Sequence, residues 1–210
     1  MRMIDWSKKT AFIIGNGSTR RSFPLDILRG HGTIYGCNAL YRDFEPDFLV
    51  AIDDGMIDEI CQSDFPASKF IVPSDPDQYE PAELYGLPHG SATPRSNAGM
   101  NAMIEAIAAG HKQLIMIGFD FLIAMEELGT GNVYDASSNY GPETRATFAD
   151  QARRMNYLNW FVDQHRDVRF VFTYPKIDVN IVAWEFLCEQ DVYGILVDEL
   201  IEDIMNDQRV

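Results

Sequence analysis

Short apolar runs recur along the chain, and most of them end in glycine or a polar cluster. Residues 10–14 (TAFII), 33–37 (TIYGC), 48–52 (FLVAI), 69–72 (KFIV), 114–117 (LIMI) and 168–172 (VRFVF) are unbroken rather than alternating. That pattern predicts strands covered on both faces. Helix-like stretches separate them. Ser22 is placed to cap a short helix with Pro24 in its first turn. Residues 55–61 form a second candidate. The run from Asn97 or Ala98 to Ala109 is rich in helix formers and stops at Gly110. Residues 143–165 are expected to form the longest helix, with two more over 182–188 and 197–206. Strands alternating with helices through short connections predict an α/β protein: a Rossmann-like, mostly parallel sheet flanked by helices.

Two segments exceed a minimal α/β unit. Residues 73–94 are Pro-rich, and residues 121–142 are rich in Gly, Asn and Ser. Long loops in compact domains are usually lids or binding loops. The second follows a strand directly, so it is expected on the carboxyl rim of the sheet, where open α/β sheets bind ligands. The expected organisation is therefore a Rossmann-like domain over 1–175, with a lid within 121–142. Residues 176–210 are expected to be a helical C-terminal extension of the same domain.

Composition narrows the ligand. With 32 acidic against 17 basic side chains, the formal charge is −15, which argues against nucleic acid because phosphate backbones need clustered Lys and Arg. A small anion held locally remains compatible. Cys37, Cys61 and Cys188 show no paired spacing and suit a reducing cytosol. The first ten residues lack an apolar core of the signal-peptide kind, and no run is long enough to span a bilayer. The expected location is cytoplasmic. The acidic stretch 198–207 reads as a solvated helix face.

The candidate chemistry sits in three places. The first strand runs into Gly15-Asn16-Gly17-Ser18-Thr19-Arg20-Arg21, where glycines permit a tight turn and a close phosphate approach. Position 20 is Arg, so the third glycine of the dinucleotide fingerprint is missing. The acid that would hold an adenosine ribose is replaced by Cys37-Asn38. An amide both donates and accepts, so a nucleotide other than NAD is expected. Second, Arg95-Ser96-Asn97-Ala98-Gly99 opens the best helix and offers free N–H groups to an anion, although Ser96 or Asn97 could simply cap it. Third, Gly118-Phe119-Asp120 ends the strand LIMI, where Asp120 can meet a polar ligand or close its own turn. Asp53-Asp54 are an alternative Mg²⁺ site beside a diphosphate, or a helix N-terminal acidic pair. Arg153-Arg154 read as surface pairing partners, and His89 as a surface histidine.

This ordered set, GNG-S, then CN-x-x-Y (Cys37, Asn38, Tyr41), then R-x-x-x-G (Arg95 to Gly99), then HKQLIMIGFDF, resembles the bacterial sialyltransferases that act on lipooligosaccharide. It also resembles allied bacterial and phage proteins, in a broader group that includes 6-hydroxymethylpterin pyrophosphokinase-like proteins. The resemblance covers roughly residues 10–55 and 90–175. It implies a lid over a CMP-sugar donor, with no metal required. It assigns donor binding to Asn16, Asn38, Arg95, Ala98, Gly118 and Asp120, and matches a lid tyrosine to Tyr134. The chain departs from the family at Asn97 and Ala98, where hydroxyls are expected, and at Leu122, where a tyrosine is expected. The family's histidine base should fall within 139–144, which reads NYGPET; Glu143 is the acid available there, and it would need a raised pKa.

The expectation is a nucleotide-dependent transferase of the glycosyltransferase kind, taking a nucleotide or CMP-sugar donor. The nucleotide site would comprise Gly15, Asn16, Gly17, Ser18, Cys37, Asn38, Arg95, Asn97, Ala98, Gly99, Gly118, Phe119 and Asp120, with Tyr134 and Glu143 in catalysis. Two alternatives stand beside it. One is a non-catalytic nucleotide- or glycan-binding protein of the same fold, with a homo-oligomer among its uses. The other is a Mg²⁺-dependent pyrophosphokinase of the hydroxymethylpterin type.

Overall fold

The computed structural model describes residues 4–73, 97–123, 131–176 and 191–207. Arg95, Ser96, His89, Cys188, most of the Pro-rich segment, the expected helix 182–188 and lid residues 124–130 lie outside them.

Seven strands form one sheet: β1 (Thr10–Ile14), β2 (Thr33–Cys37), β3 (Phe48–Val50), β4 (Phe70–Ile71), β5 (Gln113–Ile117), β6 (Arg169–Tyr174) and β7 (Val192–Leu196). Every neighbouring pair is parallel, in the order β4-β3-β2-β1-β5-β6-β7. The α-helices are α1 (Asp54–Cys61), α2 (Ala98–Ala108), α3 (Phe148–Gln164) and α4 (Val197–Met205). The α/β, Rossmann-like class is therefore that of the molecule.

Unbroken apolar strands make sense because the sheet carries a core on each face. Ala11 and Ile13 of β1 join Met116, Phe170 and the inner faces of α2 and α3. Phe12 and Ile14 point the other way, toward Ile115, Val171, α1 and α4. Period-two side-chain alternation along a strand buried on both sides produces this split.

Three sequence expectations shift. The crossover from β1 to β2 contains no α-helix. It is built from two 3₁₀ turns, Ser18–Ser22 and Leu25–Leu28, because Pro24 disfavours helical geometry at Phe23. The long helix begins at Phe148 rather than 143. Thr147 and Asp150 form a reciprocal capping box, with Thr147 N–H to Asp150 Oδ2 at 2.8 Å and Asp150 N–H to Thr147 Oγ1 at 3.2 Å. The C-terminal extension is not wholly helical, since β7 adds an edge strand to the sheet. The acidic helix α4 keeps Asp198, Glu199 and Glu202 exposed, as expected of a solvated face, and packs Leu200 and Ile204 into the core.

Candidate functional site

Strand order reverses direction between β1 and β5, the place where open α/β sheets form a ligand crevice. Register brings three turns level there, since Ile14 pairs with both Gly36 and Ile117. Residues 15–17, 38 and 118–120 therefore meet on the carboxyl rim. The two glycine turns lie directly against each other. Gly15 N–H donates to Ile117 O at 2.8 Å and Gly17 N–H to Gly118 O at 3.0 Å.

A cavity of about 490 Å³ opens above this junction. Of the expected residues, Gly15, Asn16, Gly17, Cys37, Asn38, Asn97, Ala98, Gly99, Gly118, Phe119 and Asp120 line it, together with Asp53. The described part of the expected lid, from residue 131 onward, reaches the rim. Asn132 bridges antiparallel to Gly17, and Asp135, Asn139 and Tyr140 add to the lining.

Asn16 and Asn38 hold comparable positions at the ends of adjacent strands. Asn16 donates from Nδ2 to Cys37 O at 3.0 Å and to the Tyr140 hydroxyl at 3.3 Å. Asn38 adopts φ +48°, which asparagine tolerates better than most residues. Its Nδ2 donates to Asp53 Oδ2 at 3.4 Å. A carbonyl and a carboxylate can only accept, so these contacts fix which way each amide faces. The remaining amide oxygens, Asn16 Oδ1 and Asn38 Oδ1, are buried and have no hydrogen-bond partner.

Asp120 works differently from expectation. It is 4% exposed, and the hydroxyls and backbone amides of Ser18 and Thr19 all converge on its carboxylate. Burial pushes its pKa up to about 6 despite those donors. Asp120 thus ties the β5 turn to the β1 turn. Ser18 and Thr19 face that carboxylate, and Ser18 is not part of the cavity wall. Arg20 is also turned inward, 3% exposed, bonded to Asp43 at 3.4 Å and to the Tyr134 hydroxyl at 2.6 Å.

Two expected catalytic residues fall outside the cavity wall. The Tyr134 hydroxyl donates to Asp43 and accepts from Arg20, and burial pushes its phenol well above the usual range. It is a packing residue held under the Arg20 and Arg42 guanidinium groups. Glu143 is exposed in a 3₁₀ turn and folds back over Gly141. Of the acidic pair, Asp53 lines the cavity while Asp54 opens α1. Among the described residues, no three His, Cys, Asp or Glu side chains cluster as metal ligands would. Cys37 is buried and pushed up to about 12, so its thiol stays protonated.

Tyr140, Asn139, Arg145 and Arg154 were not anticipated. Tyr140 was legible in the NYGPET stretch, which attracted attention only for lacking a histidine. Arg154 read as a surface partner, yet it lines the cavity from α3. Asn97 caps α2, its Oδ1 accepting from Met100 N–H at 3.0 Å, while also standing in the wall.

One cluster anchors the crossing segment. Arg42 grips Glu59 through Nε and Nη2 at 2.7 and 2.6 Å, and reaches Ser137 Oγ at 2.8 Å and Ser138 O at 2.9 Å. Asn139 joins the same carboxylate at 2.7 Å. Burial raises the Glu59 pKa, but the bonds from Arg42, Tyr41 and Asn139 outweigh it and hold the carboxyl below its ordinary range. Arg42→Ala is expected to lower the unfolding free energy by about 2 kcal/mol, because it strands a half-buried carboxylate. Arg42→Lys should recover only part of this, since an ammonium cannot form the fork. Urea denaturation measures both; equal stability of Arg42→Ala and the parent would show that the fork is not an anchor.

Comparison with family models, curated proteins and solved structures returned no match for this chain.

Proposed function

We propose that the protein binds a nucleotide at the β1/β5 junction and transfers a group from it, with a CMP-sugar as the leading donor. The observation that carries this reading is the pair of buried, unpartnered amide oxygens of Asn16 and Asn38, both in residues that line one cavity. An unmet buried acceptor costs about 1–3 kcal/mol. Ribose hydroxyls and an exocyclic amine, such as that of cytosine, are donors that would meet it. The amide at position 38, beside Asp53, also disfavours a ligand chosen for a lone carboxylate acceptor.

In such a transfer, an acceptor hydroxyl oxygen attacks the anomeric carbon. The bond from that carbon to the phosphate oxygen breaks, and its electron pair leaves with the nucleoside monophosphate. The hydroxyl proton needs a base within hydrogen-bond reach. The cavity carboxylates are Asp53, Asp120 and Asp135. Ser18 and Thr19 occupy Asp120, and Arg145 binds Asp135 at 3.0 Å. The Asp53 carboxylate accepts only the long bond from Asn38 among its described contacts, so it takes the role of base.

A thermal-shift panel of CMP, CDP, UDP, GDP and ATP, each with Mg²⁺ and with EDTA, tests the reading. A ligand at 100-fold excess over Kd adds about 2.7 kcal/mol, or ~5–10 °C for a chain of this size. The expected result is a shift with CMP that EDTA leaves unchanged, followed by release of CMP from a CMP-sugar. No shift with any nucleotide would sink the proposal. A shift only with ATP and Mg²⁺ would favour pyrophosphate transfer, with Asp53 on the metal. Binding without turnover would favour the non-catalytic alternative, consistent with the absence of histidine from the described cavity wall.

A further inference from the structure

The described cavity wall holds two arginines, Arg145 and Arg154, beside the carboxylates of Asp53, Asp120 and Asp135. Arg145 ends the segment that crosses the rim, and Arg154 stands in α3, beyond the Thr147 cap. Arg145 is 59% exposed, and its Nη2 meets Asp135 Oδ2 at 3.0 Å. An exposed ion pair of this kind has little net strength, so a better anion can exchange for Asp135. The same cavity contains Ala98 and Gly99 at the start of α2, whose amides have no acceptor within the helix. Asn97 Oδ1 takes the Met100 amide and leaves those first two amides uncapped by it. A cationic fork and a helix start in one cavity suit a phosphate dianion.

We infer that Arg145 and Arg154 receive the phosphate of the bound nucleotide, and that Asp135 is the internal anion which that phosphate replaces on Arg145. This inference rests on the nucleotide reading above. It divides the cavity by chemistry. The amide oxygens of Asn16 and Asn38 meet neutral donors of the nucleoside, and the two arginines meet the charge. It also gives the leaving phosphate a cationic partner, which a group transfer needs as negative charge builds on the departing oxygen.

The test is calorimetric titration of the full chain with CMP, UMP, AMP and GMP, each compared with its own nucleoside. The variants are Arg145→Gln, Arg154→Gln, the double variant and Asp135→Asn. In the parent, the preferred nucleotide is expected to bind at least ~10-fold more tightly than its nucleoside, because charge-assisted hydrogen bonds carry the difference. The double variant is expected to lose that preference while its nucleoside affinity stays unchanged. Asp135→Asn is expected to tighten nucleotide binding by up to ~5-fold, since it removes a competitor. A pair that served only structure would give no gain there. If the nucleotide binds the double variant as it binds the parent, the phosphate assignment is overturned and the nucleotide reading stands. If neither nucleotide nor nucleoside binds the parent, both are overturned. Melting curves of the free variants separate loss of binding from loss of fold.

Discussion

Asp120→Ala is expected to lower the stability of the protein by about 3 kcal/mol at neutral pH, whereas Asp120→Asn is expected to stay within about 1 kcal/mol of the parent. The alanine leaves the Ser18 and Thr19 amides and hydroxyls without their common acceptor inside a nearly closed turn. The asparagine keeps one oxygen for the Thr19 amide and Ser18 hydroxyl, and its amide can donate to the Thr19 hydroxyl, which also accepts. Charge is the other half of the argument. Burial lifts the folded-state pKa of Asp120 from 3.8 to about 6. The folded state thus binds this proton more tightly than the unfolded chain does. The resulting stabilisation is complete below about pH 4 and is lost as pH rises through about 6. Two pKa units correspond to about 3 kcal/mol. Asp120→Asn removes that dependence, so the difference between parent and Asp120→Asn in urea midpoint should move in favour of the asparagine from pH 4 to pH 7. A constant difference would show that Asp120 ionises as easily in the fold as out of it.

Strand ends were sharpest in the sequence at the centre of the sheet, although the half-exposed β4 was also legible as an apolar run. β1 and β5 are closed to solvent along their whole length, so their apolar runs are unbroken and their ends are sharp. The glycine turns that follow them, and Asn38 after β2, are therefore placed on a rim by the sequence pattern alone. β7 was not legible because its burial is uneven and Gly194 interrupts it, so a strongly patterned helix beside it dominated the reading. The start of α3 was misplaced because helix-forming residues precede Thr147, although Thr147-Phe148-Ala149-Asp150 carries its own start signal.

Within the site, sequence located positions but not directions. Tyr134 and Tyr140 lie in the same segment, and their rings are 5.7 Å apart. Only the packing of Arg20 and Asp43 decides that Tyr134 is spent on structure and Tyr140 faces Asn16. Likewise, Asp120 was read at the right end of the right strand. That its carboxylate turns back to hold Ser18 and Thr19 depends on how two turns from distant parts of the chain nest. Arg154 read as ordinary surface charge and Arg145 was not singled out, because nothing local in sequence marks the wall of a cavity formed by a crossing segment and a helix.

The nesting of those turns is most severely tested at Gly17. Its backbone, at φ −60°, is open to any residue, so conformational freedom is not what glycine supplies here. Space is the constraint. A β-carbon at Gly17 would stand 2.6 Å from Gly118 O and collide with the Asp120 carboxylate. The carbonyl belongs to a turn that is itself fixed by the bond from Gly17 N–H, so it cannot retreat without breaking that bond. Overpacking in a fixed site costs about 1–3 kcal/mol, and losing the turn contact adds to it. Gly17→Ala is therefore expected to cost at least about 3 kcal/mol by urea denaturation and to abolish nucleotide binding, since Asn16 moves with the turn. Gly110 provides the contrast. It ends α2 at φ +84° with nothing within 4 Å of a β-carbon, so Gly110→Ala meets strain but no collision and should cost about 1 kcal/mol. Combining Gly17→Ala with Asp120→Ala should cost less than the sum of the two, because the second change removes one of the two groups the new methyl strikes. Strict additivity, or a Gly17→Ala protein as stable as Gly110→Ala, would mean that the two turns do not press on each other and that the rim of this cavity is not built by their contact.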